Sequence, residues 1–125
     1  MIKTVITDKA PKALGHYVQG TIANGFVHTA MQLPINLDNP DEGVLDIKSQ
    51  TEQVLKNVLA IIDAAGANKS MIVQMPIYLT DIKDWDIANE IYTNMMGKSQ
   101  PARSVIMVAG LHKGYNIAVE GVAAL

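Results

Sequence analysis

The chain has 125 residues and a formal net charge of -2, the length of one ordinary domain, so residues 1–125 are expected to fold as a single unit. Hydrophobic residues make up 49% and charged residues 18%, enough for a packed core and too little charge for disorder. A pI near 5.8 and the lack of a basic run exclude the footprint of a dedicated nucleic-acid binder, and the absence of cysteine excludes disulfides, thiolate metal sites and a cysteine nucleophile.

The first residues, "MIKTVITDKA", lack the apolar core of a signal peptide. No apolar run is long enough to span a bilayer. The expectation is a soluble, cytoplasmic protein with no membrane partner. Residues 3–7, "KTVIT", predict a short first strand. A loop follows, punctuated by Pro11 and Gly15. Residues 17–33 carry strand-forming residues on both sides of Asn24-Gly25, a hairpin signal because both residues tolerate positive φ. Residues 34–43 form a polar loop with two prolines.

The apolar period then changes from two to between three and four. Ile47, Thr51, Val54, Leu55, Val58, Ile61, Ile62 and Ala65 predict an amphipathic helix ended by Gly66. Residues 70–81 read as a strand, in which Pro76 demands an edge position or a bulge. Residues 84–97 predict a second helix with Asp84 as N-cap, Ile87, Ala88, Ile91 and Met95 on its inner face, and Gly97 at its end. "ARSVIMVA" and "YNIAVEGVAAL" supply the last two strands.

Two strand–helix–strand units in one sheet place both helices on the same face. The last strands are apolar on both sides, with Val105, Met107 and Ala109 alternating with Ile106 and Val108. Helices cover one face only, and a bare second apolar face is rare in monomers. That face is therefore expected to be buried against other copies of the chain, unless the sheet closes into a barrel within one chain.

Candidate site residues are few. Arg103, at the mouth of an apolar strand, suits an anion clamp, because guanidinium matches carboxylate or phosphate through parallel hydrogen bonds; a strand-end ion pair is the plainer reading. Glu120 interrupts an apolar strand between Ala118 and Val122. It suits a general acid or base, or an edge glutamate facing water or paired with Lys3 or Arg103. Tyr17 and Asn89 could contact a ligand, or pack and face solvent respectively. Trp85 reads as a hydrophobic anchor and the seven methionines as adaptable core filler. His16, His28 and His112 lack metal-ligand spacing, and no nucleophile elbow, P-loop or dinucleotide fingerprint is present.

Read together, "APKALGHYVQG" at 10–20, "QLPIN" at 32–36, "QTEQVLKNVLAIIDAAG" at 50–66, "YLTDIKDWDIANEIY" at 78–92, "PARSVIMVAGL" at 101–111 and "IAVEGVA" at 117–123 resemble the Rid/YjgF family of reactive-intermediate deaminases nearly end to end. The resemblance implies an α+β, chorismate-mutase-like fold. Its mixed sheet would have about six strands, with two helices on one face. It implies a homotrimer with sheets facing inward and sites at the subunit seams. It implies hydrolysis of 2-imino acids, or their enamine tautomers, to 2-oxo acids and ammonia, without metal or cofactor. In that likeness Arg103 grips the substrate carboxylate and Glu120 positions or activates water. Tyr17 closes the pocket from the neighbouring side, Asn89 lies at the rim, and Val105 contributes mainly backbone. The chain departs from the family where members read serine-glycine, here Ala30 and Met31, which reshapes the pocket wall. Met107 replaces an acidic residue common in the family, leaving a drier trimer interior. Two further readings stand beside the enzyme: a regulatory protein that binds a small carboxylate without turnover, and an endoribonuclease or translation inhibitor, against which the charge and the few aromatics count.

Overall fold

The computed structural model describes residues 1–125. Eight short strands and two long helices follow one another as β1 (Lys3–Val5), β2 (Gly20–Ala23), β3 (Phe26–Thr29), α1 (Ile47–Ala64), β4 (Ile72–Gln74), β5 (Ile77–Leu79), α2 (Trp85–Met96), β6 (Val105–Met107), β7 (Ile117–Val119) and β8 (Val122–Ala124). Hydrogen bonding groups them as β1-β2-β3-β8-β4 and β6-β5-β7. Bridges from Gln32 to Val119 and from Gln74 to Ala102 join the two groups. With β4 and β5 running on as one strand, and β7 and β8 as another, the sheet has six strands. β5 and β6 are parallel and the other pairs antiparallel. This is the expected α+β architecture. The sheet stays open, with β1 and β6 at its edges, so the alternative of a closed barrel is not what forms.

Asn24 and Gly25 turn the first hairpin at φ 51° and 79°, the paired positive values that match strand twist. Asp46 caps α1 by accepting a 2.8 Å bond from the Ser49 N–H. The buried stripe of α1 includes Val54, Leu55, Val58, Ile61 and Ile62, all fully buried, and the helix packs on β3 and β7. Two of its three buried polar residues pin loops. Asn57 donates to the Leu33 and Ile35 carbonyls, and Gln50 donates to the Leu45 carbonyl and to Asn116.

Four expectations are corrected. Pro76 sits inside the sheet, between the strands carrying Glu120 and Ser104. The register shift lies earlier, between Ile72 and Gln74. Asp84 makes no side-chain cap; Asp81 caps the short turn before α2 by accepting from Lys83 N–H at 2.9 Å. The buried face of α2 is Ala88, Ile91, Tyr92 and Met96, while Ile87 is exposed and Met95 half-buried. Of the methionines, Met75 and Met96 fill the core, whereas Met31, Met71 and Met107 are exposed.

Strand alternation sorts the side chains by face. Val27, Ile77, Leu79, Val119 and Ala123 are buried under the helices. Phe26, Val73 and Ile106 alternate to the other face and stand about two-fifths exposed. The second face thus carries exposed apolar residues, with polar groups such as His28 among them, and is uncovered in the chain. No helix is long and apolar enough to cross a membrane.

Candidate functional site

The backbone is fixed on both sides of Arg103. Met75 N–H donates to the Ala102 carbonyl at 2.9 Å and Ile77 N–H to the Ser104 carbonyl at 2.8 Å. Arg103 then turns its side chain toward α2. Nη1 donates to Asn89 Oδ1 at 2.9 Å. The guanidinium carbon lies 4.8 Å from the Trp85 ring centre and 4.9 Å from that of Tyr92, a cation–π arrangement. Trp85, Asn89 and Tyr92 stand at i, i+4 and i+7, one stripe of the helix. The Asn89 bond is the only hydrogen bond Arg103 makes, and the residue is exposed. Its other N–H groups stay free beside a cleft of about 460 Å³ lined also by Thr93, Ser99 and Gln100. The Tyr92 hydroxyl is buried without a partner. Burial pushes its pKa up, and the nearby Arg103 charge partly offsets this.

Glu120 occupies a break in the sheet. Gly121 is matched with Thr29 and Val119 with Gln32. Ala30 and Met31 together therefore oppose Glu120 alone, which is a β-bulge. Ala30 N–H is tied to the Gln19 carbonyl at 2.7 Å, and Met31 N–H makes no bond within the chain. On the other flank Glu120 N–H donates to the Pro76 carbonyl at 3.3 Å, and proline has no N–H to return. The Glu120 carboxylate accepts a hydrogen bond from the Tyr78 hydroxyl. That bond raises the pKa of Tyr78, with burial and the carboxylate charge adding to it.

Arg103, Asn89 and the start of β6 at Val105 come together, and so do Glu120, Ala30 and Met31. The two groups do not touch. Arg103 points to the helix side and Glu120 bonds Tyr78 on the other, so neither is the other's ion-pair partner. Tyr17 is 55% exposed and lines a separate depression with Ile6, Lys12 and Gln19, just before β2. From β2 to β6 the sheet counts four strand spacings, roughly 19 Å, more than two side chains can span.

Residues 7–125 match the family described as Endoribonuclease L-PSP. The chain belongs to this family, the YjgF/RidA family. It is 39% identical over 124 residues to a RutC family protein of Pyrococcus abyssi, covering 98% of each chain. It is 36% identical over 126 residues to the 2-iminobutanoate/2-iminopropanoate deaminase of Escherichia coli, again covering 98% of each. Among solved structures it superposes on Escherichia coli TdcF with bound serine at a TM-score of 0.93 and 32% identity, covering 98% of both chains. Family membership covers reactive-intermediate deaminases as a class.

Sequence reasoning about this family member missed three side chains at the candidate site. Trp85 and Tyr92 were legible as a stripe with Asn89, since i, i+4, i+7 spacing needs only a helix. Tyr78 was not. Its alternation between Ile77 and Leu79 puts it on the open face, but only the pairing of Tyr78 with Ala118 brings it beside Glu120.

Proposed function

We propose that the chain is a 2-imino acid deaminase, hydrolysing compounds such as 2-iminobutanoate and 2-iminopropanoate. The observation that carries this reading is Arg103, backbone-fixed and braced by Asn89, Trp85 and Tyr92, with unpaired N–H groups facing a cleft. A fixed guanidinium suits bidentate binding of a carboxylate. The substrate's C=N then needs water and a proton carrier. Glu120 can take a proton from water as the water oxygen bonds to the imine carbon and the π pair moves to nitrogen. Return of that proton to nitrogen gives the carbinolamine; its hydroxyl proton then passes to the nitrogen as the C–N bond breaks, giving the 2-oxo acid and ammonia. Positioned acid–base help of this kind contributes about 10²–10⁴ in rate.

The reading requires more than one subunit. Arg103 and Tyr17 lie near opposite edges of an open sheet, and Arg103 and Glu120 work on different sides of it. A homotrimer with inward-facing sheets would cover Phe26, Val73 and Ile106 and bring one chain's β6 edge toward another's Tyr17. Light scattering at low micromolar concentration should give about three times the chain mass of 13.5 kDa; a 13.5 kDa particle would overturn the seam site.

The activity test generates imines in situ with a threonine or serine dehydratase and follows release of 2-oxobutanoate or pyruvate. Wild type should accelerate release, Arg103→Ala should abolish the acceleration, and Tyr17→Phe should weaken it. An Arg103→Ala protein working at the wild-type rate would sink the mechanism. The second reading, binding of a small carboxylate without turnover, is favoured by Met31. Its side chain is 44% exposed in the bulge opposite Glu120, and the TdcF relative binds serine, itself a carboxylate. A folded wild type that binds 2-oxobutanoate and accelerates nothing would favour that second reading.

A further inference from the structure

Tyr78 stands at the middle of β5 between Ile77 and Leu79, both essentially fully buried under the helices. Its ring therefore points to the opposite face. Directly across β7 it meets Ala118, a small residue that leaves room for the ring to lean along the strand. Glu120 is two residues on from Ala118 and shares that face. Such diagonal cross-strand neighbours lie within reach of long side chains. The phenol hydroxyl donates to Glu120 Oε1.

No other protein hydrogen bond holds the Glu120 carboxylate. Its backbone is also less tied than that of an ordinary central strand. The Ala30–Met31 bulge interrupts the ladder on one flank, and Pro76 withholds a donor on the other. The sheet gives Glu120 its place but little fixity. A carboxylate on two methylenes samples several rotamers unless something fixes it. In this fold only the Tyr78 hydroxyl does so.

We propose that Tyr78 is a positioning residue for Glu120: its hydroxyl holds one carboxylate oxygen and so presents the other to the water that attacks the imine. The inference rests on the deaminase reading. Tyr78 keeps its proton throughout the cycle. The proton from water goes to the second oxygen of Glu120 and on to the departing nitrogen, so Tyr78 neither gains nor loses one. The raised pKa of Tyr78, due first to its bond to Glu120, agrees with a phenol that stays neutral while it donates.

Tyr78→Phe keeps the ring and removes only the hydroxyl. In the dehydratase-coupled assay it should lower kcat roughly ten- to hundredfold, the worth of one hydrogen bond to a charged group. KM should stay within about twofold, because Arg103, not Glu120, holds the substrate carboxylate. Loss of packing alone would instead lower thermal stability and leave kcat per folded molecule unchanged.

A second readout needs no turnover. The chain has four tyrosines, and their ionisation is followed by ultraviolet difference absorbance at alkaline pH. Glu120→Gln should bring one tyrosine's ionisation to lower pH. The same substitution made in Tyr78→Phe should move none of the remaining three. An active wild type with an unchanged kcat in Tyr78→Phe overturns the positioning role and leaves the deaminase reading intact. An inactive wild type overturns the deaminase reading and the role together, while the titration still decides whether the pair forms. A Glu120→Gln titration identical to wild type removes the bond on which the inference stands.

Discussion

Arg103 and Glu120 are two charged residues at breaks in the same sheet, and the fold holds them by opposite means. Around Arg103 the backbone is locked by hydrogen bonds on both sides, and a helix stripe of Trp85, Asn89 and Tyr92 holds the guanidinium. Around Glu120 the backbone is loosened by a bulge on one flank and a proline on the other, and one tyrosine hydroxyl holds the carboxylate. The difference suits the roles proposed for them. A residue that grips a fixed carboxylate gains from rigidity, since little conformational entropy is lost on binding. A residue that passes protons gains from being aimed out of the ladder, and a bulge re-aims side chains and interrupts pairing.

The largest effects should come from the two residues themselves, and they should differ in kind. Arg103→Ala should abolish both binding and turnover, a loss of about 2–5 kcal/mol if its partner is a substrate carboxylate in a closed seam. Glu120→Gln should lower kcat by about 10²–10⁴ and still bind 2-oxobutanoate, as isothermal titration calorimetry would show. Equal loss of binding in both variants would break the contrast.

Next in size is the bulge. Ala30→Ser combined with Met31→Gly restores the side chains usual in the family and clears a long side chain from beside Glu120. This double variant should change kcat/KM by about tenfold, equivalent to about 1.4 kcal/mol, and most strongly for the larger of two imino acids. An effect equal for both acids would mean that Met31 does not border the substrate chain.

The bracing of Arg103 should yield the smallest effects. Asn89→Ala removes one exposed hydrogen bond and should raise KM by a few-fold at unchanged kcat, a cost of about 1 kcal/mol. Trp85 is the only tryptophan and its ring centre lies 4.8 Å from the Arg103 guanidinium. Its fluorescence should change on adding 2-oxobutanoate to wild type, with no change in Arg103→Ala. A fluorescence change that persists in Arg103→Ala would place the anion elsewhere.

Much of this was legible in the linear chain. The three-to-four residue period of Val54, Leu55, Val58, Ile61 and Ile62 required a helix with one apolar face, and those residues are the fully buried ones. Asn24-Gly25 required a tight hairpin, because few other pairs accept positive φ twice in succession. The apolar alternation of the later strands required a second uncovered face. In α2, by contrast, the apolar stripe was legible but its rotation was not. Ile87 is exposed and Tyr92 buried, because the packing of α2 against α1 and the core, which its own spacing does not encode, selects the covered side.

By itself the sequence determined local periodicity, the turns, the balance of apolar and charged residues, and the presence of Arg103 and Glu120 at interruptions in apolar strands. These follow from interactions among neighbours a few residues apart. Only the tertiary structure decided that Pro76 lies opposite Glu120, that Ala30 and Met31 share one place in the ladder, and that Tyr78 reaches a carboxylate 42 positions away in the chain. Strand pairing fixes those relations, and pairing register depends on the whole sheet packing at once, which no local stretch of sequence encodes.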